Sequence, residues 1–228
     1  MRFVALLGLS LILGAQDLPN RWNATGSLLT PRHHACAAPL PGGRVLVMGG
    51  LGPEDTALAS AEIYSAAEGV FSETAPMSTA RVGHSCTALT DGRVLVVSGG
   101  LAELFDPATG AWVAPAGSSP AVAREGHTAT LLPDGSVLLA GGVVSGGTAT
   151  TGALERFDPA TGSFILFEAG LSGPRAAHTA ALLSDGRVIV AGGQAEPDSA
   201  ALESTEIVDP YLQTVQTGPV LTEGGVNP

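Results

Sequence analysis

The chain has no lysine, few aromatic residues (4%), few charges of either sign (14%) and only two cysteines. Each shortage excludes something. All ten basic residues are arginine, set against 21 Asp and Glu, for a formal charge of −11. The phosphate attraction that drives nucleic-acid binding is therefore missing, and nucleic acid is excluded as a partner class. So few charges beside 45% hydrophobic residues rule out a disordered acidic polymer. Two cysteines exclude a dense disulfide scaffold. After residue 15 no apolar run exceeds strand length, so a membrane span is not expected. What the chain has in excess is glycine and proline, about a fifth of 228 residues and roughly double the usual share. Glycine weakens a helix interior by roughly 1 kcal/mol per site relative to alanine, so long helices are disfavoured. Short strands separated by turns are the expectation.

Arg2 precedes an apolar run from Phe3 to Leu13 that ends at Gly14-Ala15-Gln16. A basic start, a short apolar stretch and small residues form the pattern of a secretory signal over 1–15. It implies a secreted or periplasmic protein, and no cysteine follows to carry a lipid.

Internal repetition dominates the rest. Arg81-Val-Gly-His84 leads through Asp91-Gly92 and a Val/Leu run to Gly99-Gly100. The series returns as Arg124, His127 and Gly141-Gly142, and as Arg175, His178 and Gly192-Gly193. A weaker copy, with Arg32 and Gly49-Gly50, has Ala35 in the histidine slot. After each glycine pair comes a glutamate opening a further strand: Glu62, Glu103, Glu155 and Glu206. Asp-Pro-Ala-Thr-Gly then leads into Trp112 and into Phe164, and Ser65 to Gly69 leads into Phe71. The fourth copy reads Asp209-Pro-Tyr-Leu-Gln213, without the turn glycine. Each unit therefore predicts four short antiparallel strands. Asp-Gly between the first two matches a two-residue type I′ hairpin, with Gly42-Gly43 in that slot of the first copy.

The Arg-x-x-His, Gly-Gly, Glu-x-aromatic and Asp-Pro-x-Thr-Gly-x-Trp series resembles kelch repeats, the blades of β-propellers. The resemblance runs from about residue 22 to residue 217. It implies an all-β fold with an outer strand in 16–30, repeats at 31–73, 80–115, 123–168 and 174–217, and a tail at 218–228. Kelch propellers usually close with six or seven blades. Four units, with Trp22 in an orphan outer-strand slot, imply an incomplete propeller: an open arc, a truncated reading frame, or a ring closed by self-association between chains. Truncation is the favoured explanation.

A catalytic residue is needed once, whereas a structural one is needed in every blade. The repeated Arg, His, Glu and Gly-Gly residues are therefore expected to form a structural framework. Binding is expected in the loops that differ between copies. These are Leu51–Ser60 with Glu54 and Asp55, Val143–Gly152 with Ser145 and Thr148, and Gln194–Leu202 with Glu196 and Asp198. His33, His34 and Cys36 form the one compact cluster of metal-ligand types, but adjacent histidines point to opposite faces of a strand, so no metal is expected. Cys36 and Cys86 lie in neighbouring units with a parity that lets them face each other, a candidate disulfide. Asn23-Ala24-Thr25 matches a glycosylation acceptor. The resemblance also reaches propeller enzymes, namely copper oxidases like galactose oxidase and sialic acid epimerases. The copper type needs further tyrosine and histidine ligands, and only Tyr64 and Tyr211 are present. The expectation is a non-catalytic binding or scaffold module for protein or carbohydrate, without a cofactor.

Overall fold

The computed structural model describes residues 24–222. The signal segment, Trp22, Asn23 and the last six residues of the tail lie outside them. The described chain is all-β, its one helical element a short 3-10 turn at Pro53–Asp55. No helix there is long and apolar enough to cross a membrane.

Four sheets have four antiparallel strands each. Blade 1 consists of β1 (Cys36–Leu40), β2 (Arg44–Met48), β3 (Ala61–Ser65) and β4 (Val70–Thr74), and blade 2 of β5 (Ser85–Ala88), β6 (Val94–Ser98), β7 (Leu101–Asp106) and β8 (Ala111–Val113). In blade 3 a two-residue strand β9 (Arg124–Glu125) precedes β10 (Thr128–Leu131) and β11 (Val137–Ala140). It then continues with β12 (Val143–Val144), β13 (Leu154–Asp158) and β14 (Ser163–Leu166). β9 and β12 pair only with each other, forming a fifth, two-stranded sheet that the repeat pattern did not announce. Blade 4 consists of β15 (Thr179–Leu182), β16 (Val188–Ala191), β17 (Thr205–Asp209) and β18 (Thr214–Thr217).

Within each blade the strands follow chain order, innermost to outermost. The innermost strands pack in series: β1 on β5, β5 on β10, β10 on β15. No sheet closes on itself, and the result is a propeller-like array. Three apolar layers fill the gaps between blades. Leu46 and Met48 meet Val94, Val96 and Phe105. Leu95, Val97 and Leu104 meet Val137, Leu139 and Phe157. Leu138, Ala140 and Leu154 meet Val188, Val190 and Val208. Alternation along each strand sends successive side chains to opposite neighbours, so a blade with neighbours on both sides reads as a continuous apolar run.

The Asp-Gly turns differ from the type I′ expectation. Gly92 N–H donates to Leu89 O (3.0 Å) and Leu89 N–H to Arg93 O (2.8 Å), which makes a three-residue loop. The same pattern recurs at Leu132–Ser136 and Leu183–Arg187. Only the glycine has positive φ (89° at Gly92), whereas type I′ would need it at the aspartate too. The aspartate carboxylate instead accepts the N–H two residues on, at Arg93, Ser136 and Arg187, and that bond holds it out of the left-handed region. In the Asp-Pro turn of blade 4 Gln213 takes the positive φ (54°) that Gly69, Gly110 and Gly162 supply in the same turn of the other blades.

Candidate functional site

In an antiparallel blade the β1–β2 and β3–β4 turns lie at one end. The β2–β3 loops and the connections between blades lie at the other, called the loop end below. The repeated arginines, glutamates and histidines are used at or beneath that end, within blades and between them.

The repeated arginine and glutamate form one buried clasp per blade. Arg32 meets Glu62 at 2.8 Å, Arg81 meets Glu103 at 2.6 Å, and Arg175 meets Glu206 at 2.8 Å, with Arg124 and Glu155 paired likewise. The other guanidinium nitrogen donates to two carbonyls where the second and third strands part. These are Gly49 and Ser60, Ser98 and Leu101, Gly141 and Ala153, and Gly192 and Ser204. The carboxylate also accepts N–H groups from the connection entering its blade: Leu29 and Thr30 on Glu62, Ser78 on Glu103, Ala121 and Val122 on Glu155, and Ser172 on Glu206. Burial alone would raise the Glu62 carboxyl, but the Leu29 and Thr30 amides and Arg32 hold it below the usual range. Burial pushes the Arg124 guanidinium down, opposed by the charge of Glu155. Blade 2 corrects the glycine register. Its clasp carbonyl belongs to Ser98, and Gly99, whose N–H donates to Arg124 O, stands where Gly50 and Gly142 stand.

The histidines join blades. His127 Nε2 lies 2.8 Å from Ser85 Oγ, and His178 Nε2 lies 3.0 Å from Thr128 Oγ1. The hydroxyl sits one place after the histidine slot of the preceding blade. At the first junction Cys36 occupies that place, and it is joined to Cys86 by a disulfide with Cα atoms 6.1 Å apart. There His84 is left with neither ring nitrogen hydrogen-bonded. The same imidazoles explain the glycines behind them. A Cβ on Gly49 would stand 2.6 Å from His84 Cε1, and one on Gly141 equally close to His178 Cε1. Burial, with the nearby Arg124 and Arg175 charges, lowers His127 to about 3 and His178 to about 4, so both are neutral at pH 7. Their buried, interlocked positions suit packing rather than proton transfer to a ligand.

The non-repeating loops remain. Thr148, Glu196 and Asp198 come together with Ala149 and Pro197 around one open pocket of about 440 Å³ between the loops of blades 3 and 4. Thr150 Oγ1 donates to Ala195 O and ties those loops together. Glu54 and Asp55 stand apart from them at blade 1, where Asp55 lies 3.4 Å from His33. Ser145 is fixed beside the β9–β12 ladder by its N–H to Ala123 O, and its hydroxyl is buried without a partner. Val143 and Val144, expected in a flexible loop, are the ladder itself. Glu54, Asp55 and Asp198 all have left-handed backbones (φ 59°, 54° and 62°), a conformation that costs non-glycine residues energy and collects at binding sites.

One residue of this end escaped the sequence reading. Glu125 is exposed and lines a second cavity, of about 210 Å³, with Val82, Ser98, Gly99 and Leu101, opened by the short loop of blade 2. Its signal was available: it is the one acid between the arginine and histidine of any copy. Charge is sharply divided. Of the ten arginines, Arg2 and Arg21 lie outside the described residues, and four are buried in clasps. Arg93, Arg156 and Arg187 bind turn aspartates Asp91, Asp134 and Asp185 at the opposite end, and Arg44 donates to Pro41 O there. Among the described residues the loop end thus bears Glu54, Asp55, Glu125, Glu168, Glu196, Asp198 and Glu203 and no exposed arginine. No group of three or more His, Cys, Asp or Glu there is arranged to hold a metal. Tyr64 is engaged with Thr25, and Tyr211 packs against Gly186 far from it.

No family model and no curated protein matches this sequence. Among solved structures, one described as "Structure of YjhT" is similar, with a TM-score of 0.75 at 17% identity, covering 90% of this chain and 76% of that one. Similarity at that identity establishes the fold alone: the chain is an all-β, propeller-like protein.

Proposed function

We propose that the chain is an exported, kelch-type binding or scaffold module without catalytic activity, and that it takes a protein or carbohydrate ligand at its loop end. One observation carries the reading. The arginines, glutamates and histidines that recur from blade to blade are buried in contacts within and between blades, whereas Thr148, Glu196 and Asp198, which occur once, are exposed and gather at one end. Thr148, Glu196 and Asp198 offer one hydroxyl and two carboxylates around an open pocket, which suits hydrogen bonding to hydroxyl or amine groups. The carboxylate excess, with no exposed arginine beside it, selects against anionic ligands. Neutral glycans or basic protein segments are favoured over sialylated or sulfated ones.

The test is binding of the purified chain to arrays of neutral and acidic glycans and of basic and acidic peptides. Neutral glycans or basic peptides should bind the wild type, and Glu196→Gln with Asp198→Asn should weaken that binding about tenfold or more. Selective capture of sialylated glycans, or binding indifferent to the double substitution, would sink the proposal.

A further inference from the structure

Terminal units of a repeat array normally present a polar outer face, because an apolar one is left in water. The two end blades here do not. Towards blade 2, blade 1 presents Ala38, Leu40, Leu46, Met48 and Ile63. The same positions of blade 4, counted from the repeated arginine and glutamate, are Ala181, Leu183, Ile189, Ala191 and Ile207. They face away from blade 3 and are all exposed or half-exposed. The converse holds at the other end. Blade 2 receives blade 1 with Cys86, Val94, Val96, Phe105 and Trp112. The matching face of blade 1 carries Ala37, Val45, Val47, Tyr64 and Phe71, again uncovered to some degree at every position. Both halves of the blade-to-blade contact that recurs three times inside the molecule are thus present on a single chain, and no other described residue covers them fully.

We propose that a second copy of this chain covers these faces head to tail, blade 4 of each copy docking on blade 1 of the other, to close an eight-bladed ring. The occupant follows from complementarity. The outgoing face of blade 4 fits the kind of face that blade 1 bears, and the internal junctions fix the geometry of that fit. A heterologous contact closes when its rotation permits, and the described blades of two copies together fall within the range propellers adopt. The junction between copies lacks one internal feature. Thr179 stands where Thr128 stands in blade 3, but blade 1 offers Ala35 in the histidine slot, so no imidazole answers it. The contact rests on apolar burial, and the dimer should be reversible.

The experiment is the solution mass of the full chain by light scattering and sedimentation across the micromolar range, with Ile189→Asp and Val47→Asp as variants. Wild type should reach twice the chain mass, and each variant alone should stay monomeric. An equimolar mixture of the two variants should recover a weakened dimer, since the intact blade 4 of one can still dock on the intact blade 1 of the other. Far-UV spectra identical to wild type establish folding, and Ile189→Thr and Val47→Thr replace any variant that fails that check. A wild type monomeric throughout overturns the proposal. So does an open-ended ladder of larger species, or a single variant that still dimerises, which would mean like faces pairing.

Discussion

Blades 2 and 3 differ from blades 1 and 4 in burial far more than in sequence. The second strand reads Val-Leu-Val-Val in blade 2, Val-Leu-Leu-Ala in blade 3 and Val-Ile-Val-Ala in blade 4. β6 and β11 are buried at every position, whereas β2 and β16 alternate between buried and half-exposed. One pattern serves both cases because the neighbour, not the strand, decides whether a face is dry. By contrast, the Arg–Glu clasp is buried in all four blades, because its partners lie within the blade and on the connection that enters it. Two kinds of stabilisation are therefore superimposed, one intrinsic to each unit and one lent by adjacent units.

Removing one partner of a clasp gives the largest expected effect. Glu155→Gln leaves Arg124 buried beside a neutral group and should cost about 3–5 kcal/mol. Glu62→Gln, in an end blade, should cost about the same by chemical denaturation. A much smaller loss at Glu62 would mean that the clasp too depends on neighbours. Core truncation should separate the blades instead. Leu138→Ala, at a side chain 1% exposed, should cost about 2–5 kcal/mol. Ile189→Ala, at the matching site of blade 4, should cost about 1 kcal/mol in solution dilute enough to hold the chain monomeric. Equal losses would remove the distinction between inner and end blades.

The covalent link at the first junction is the next test. Replacing Cys36 and Cys86 by serine releases a link spanning 50 residues and should cost about 2–4 kcal/mol. Protection of β1 and β2 amides should fall first, and protection of β11 should hold. The remaining effect is graded and depends on pH. His127 and His178 titrate at about 3 and about 4 in the folded chain against 6.5 when unfolded. The unfolded state therefore binds more protons between those limits. Stability is fully present above pH 6.5 and declines as pH falls towards 4, by about 1.4 kcal/mol per unit for each histidine. Replacing His127 by asparagine should flatten that slope, as measured by urea melts at pH 7, 6 and 5.

Much of this was legible in the residues. Strand count per unit, the turn positions and the structural use of Arg32, Arg81, Arg124 and Arg175 follow from periodicity, because a residue demanded by every blade must serve the blade. Side-chain parity permitted the Cys36–Cys86 pairing without requiring it. Other features could not be read because they depend on neighbours in space. The hydroxyls of Ser85 and Thr128 became visible as partners only once the next blade's histidine was in place. The Asp-Gly hairpins hinge on whether the aspartate side chain or a left-handed backbone satisfies the turn, and composition does not decide between them. Of the candidate loop residues, Thr148, Glu196 and Asp198 converge because Thr150 ties their loops together. Glu54 and Asp55 belong to a loop two blades away.

The most direct test compares two changes made within blade 4. Glu206→Gln removes a repeated residue, and Glu196→Gln with Asp198→Asn removes two that occur once. Thermal unfolding of the three proteins at pH 7 should show the first melting well below wild type, by 5 °C or more (roughly 2 °C per kcal/mol at this length). The second should melt within about 1 °C of wild type. A Glu206→Gln protein with the wild-type melting temperature, or a loop variant that melts far below it, would contradict the division between residues that hold the blades and residues left free to bind.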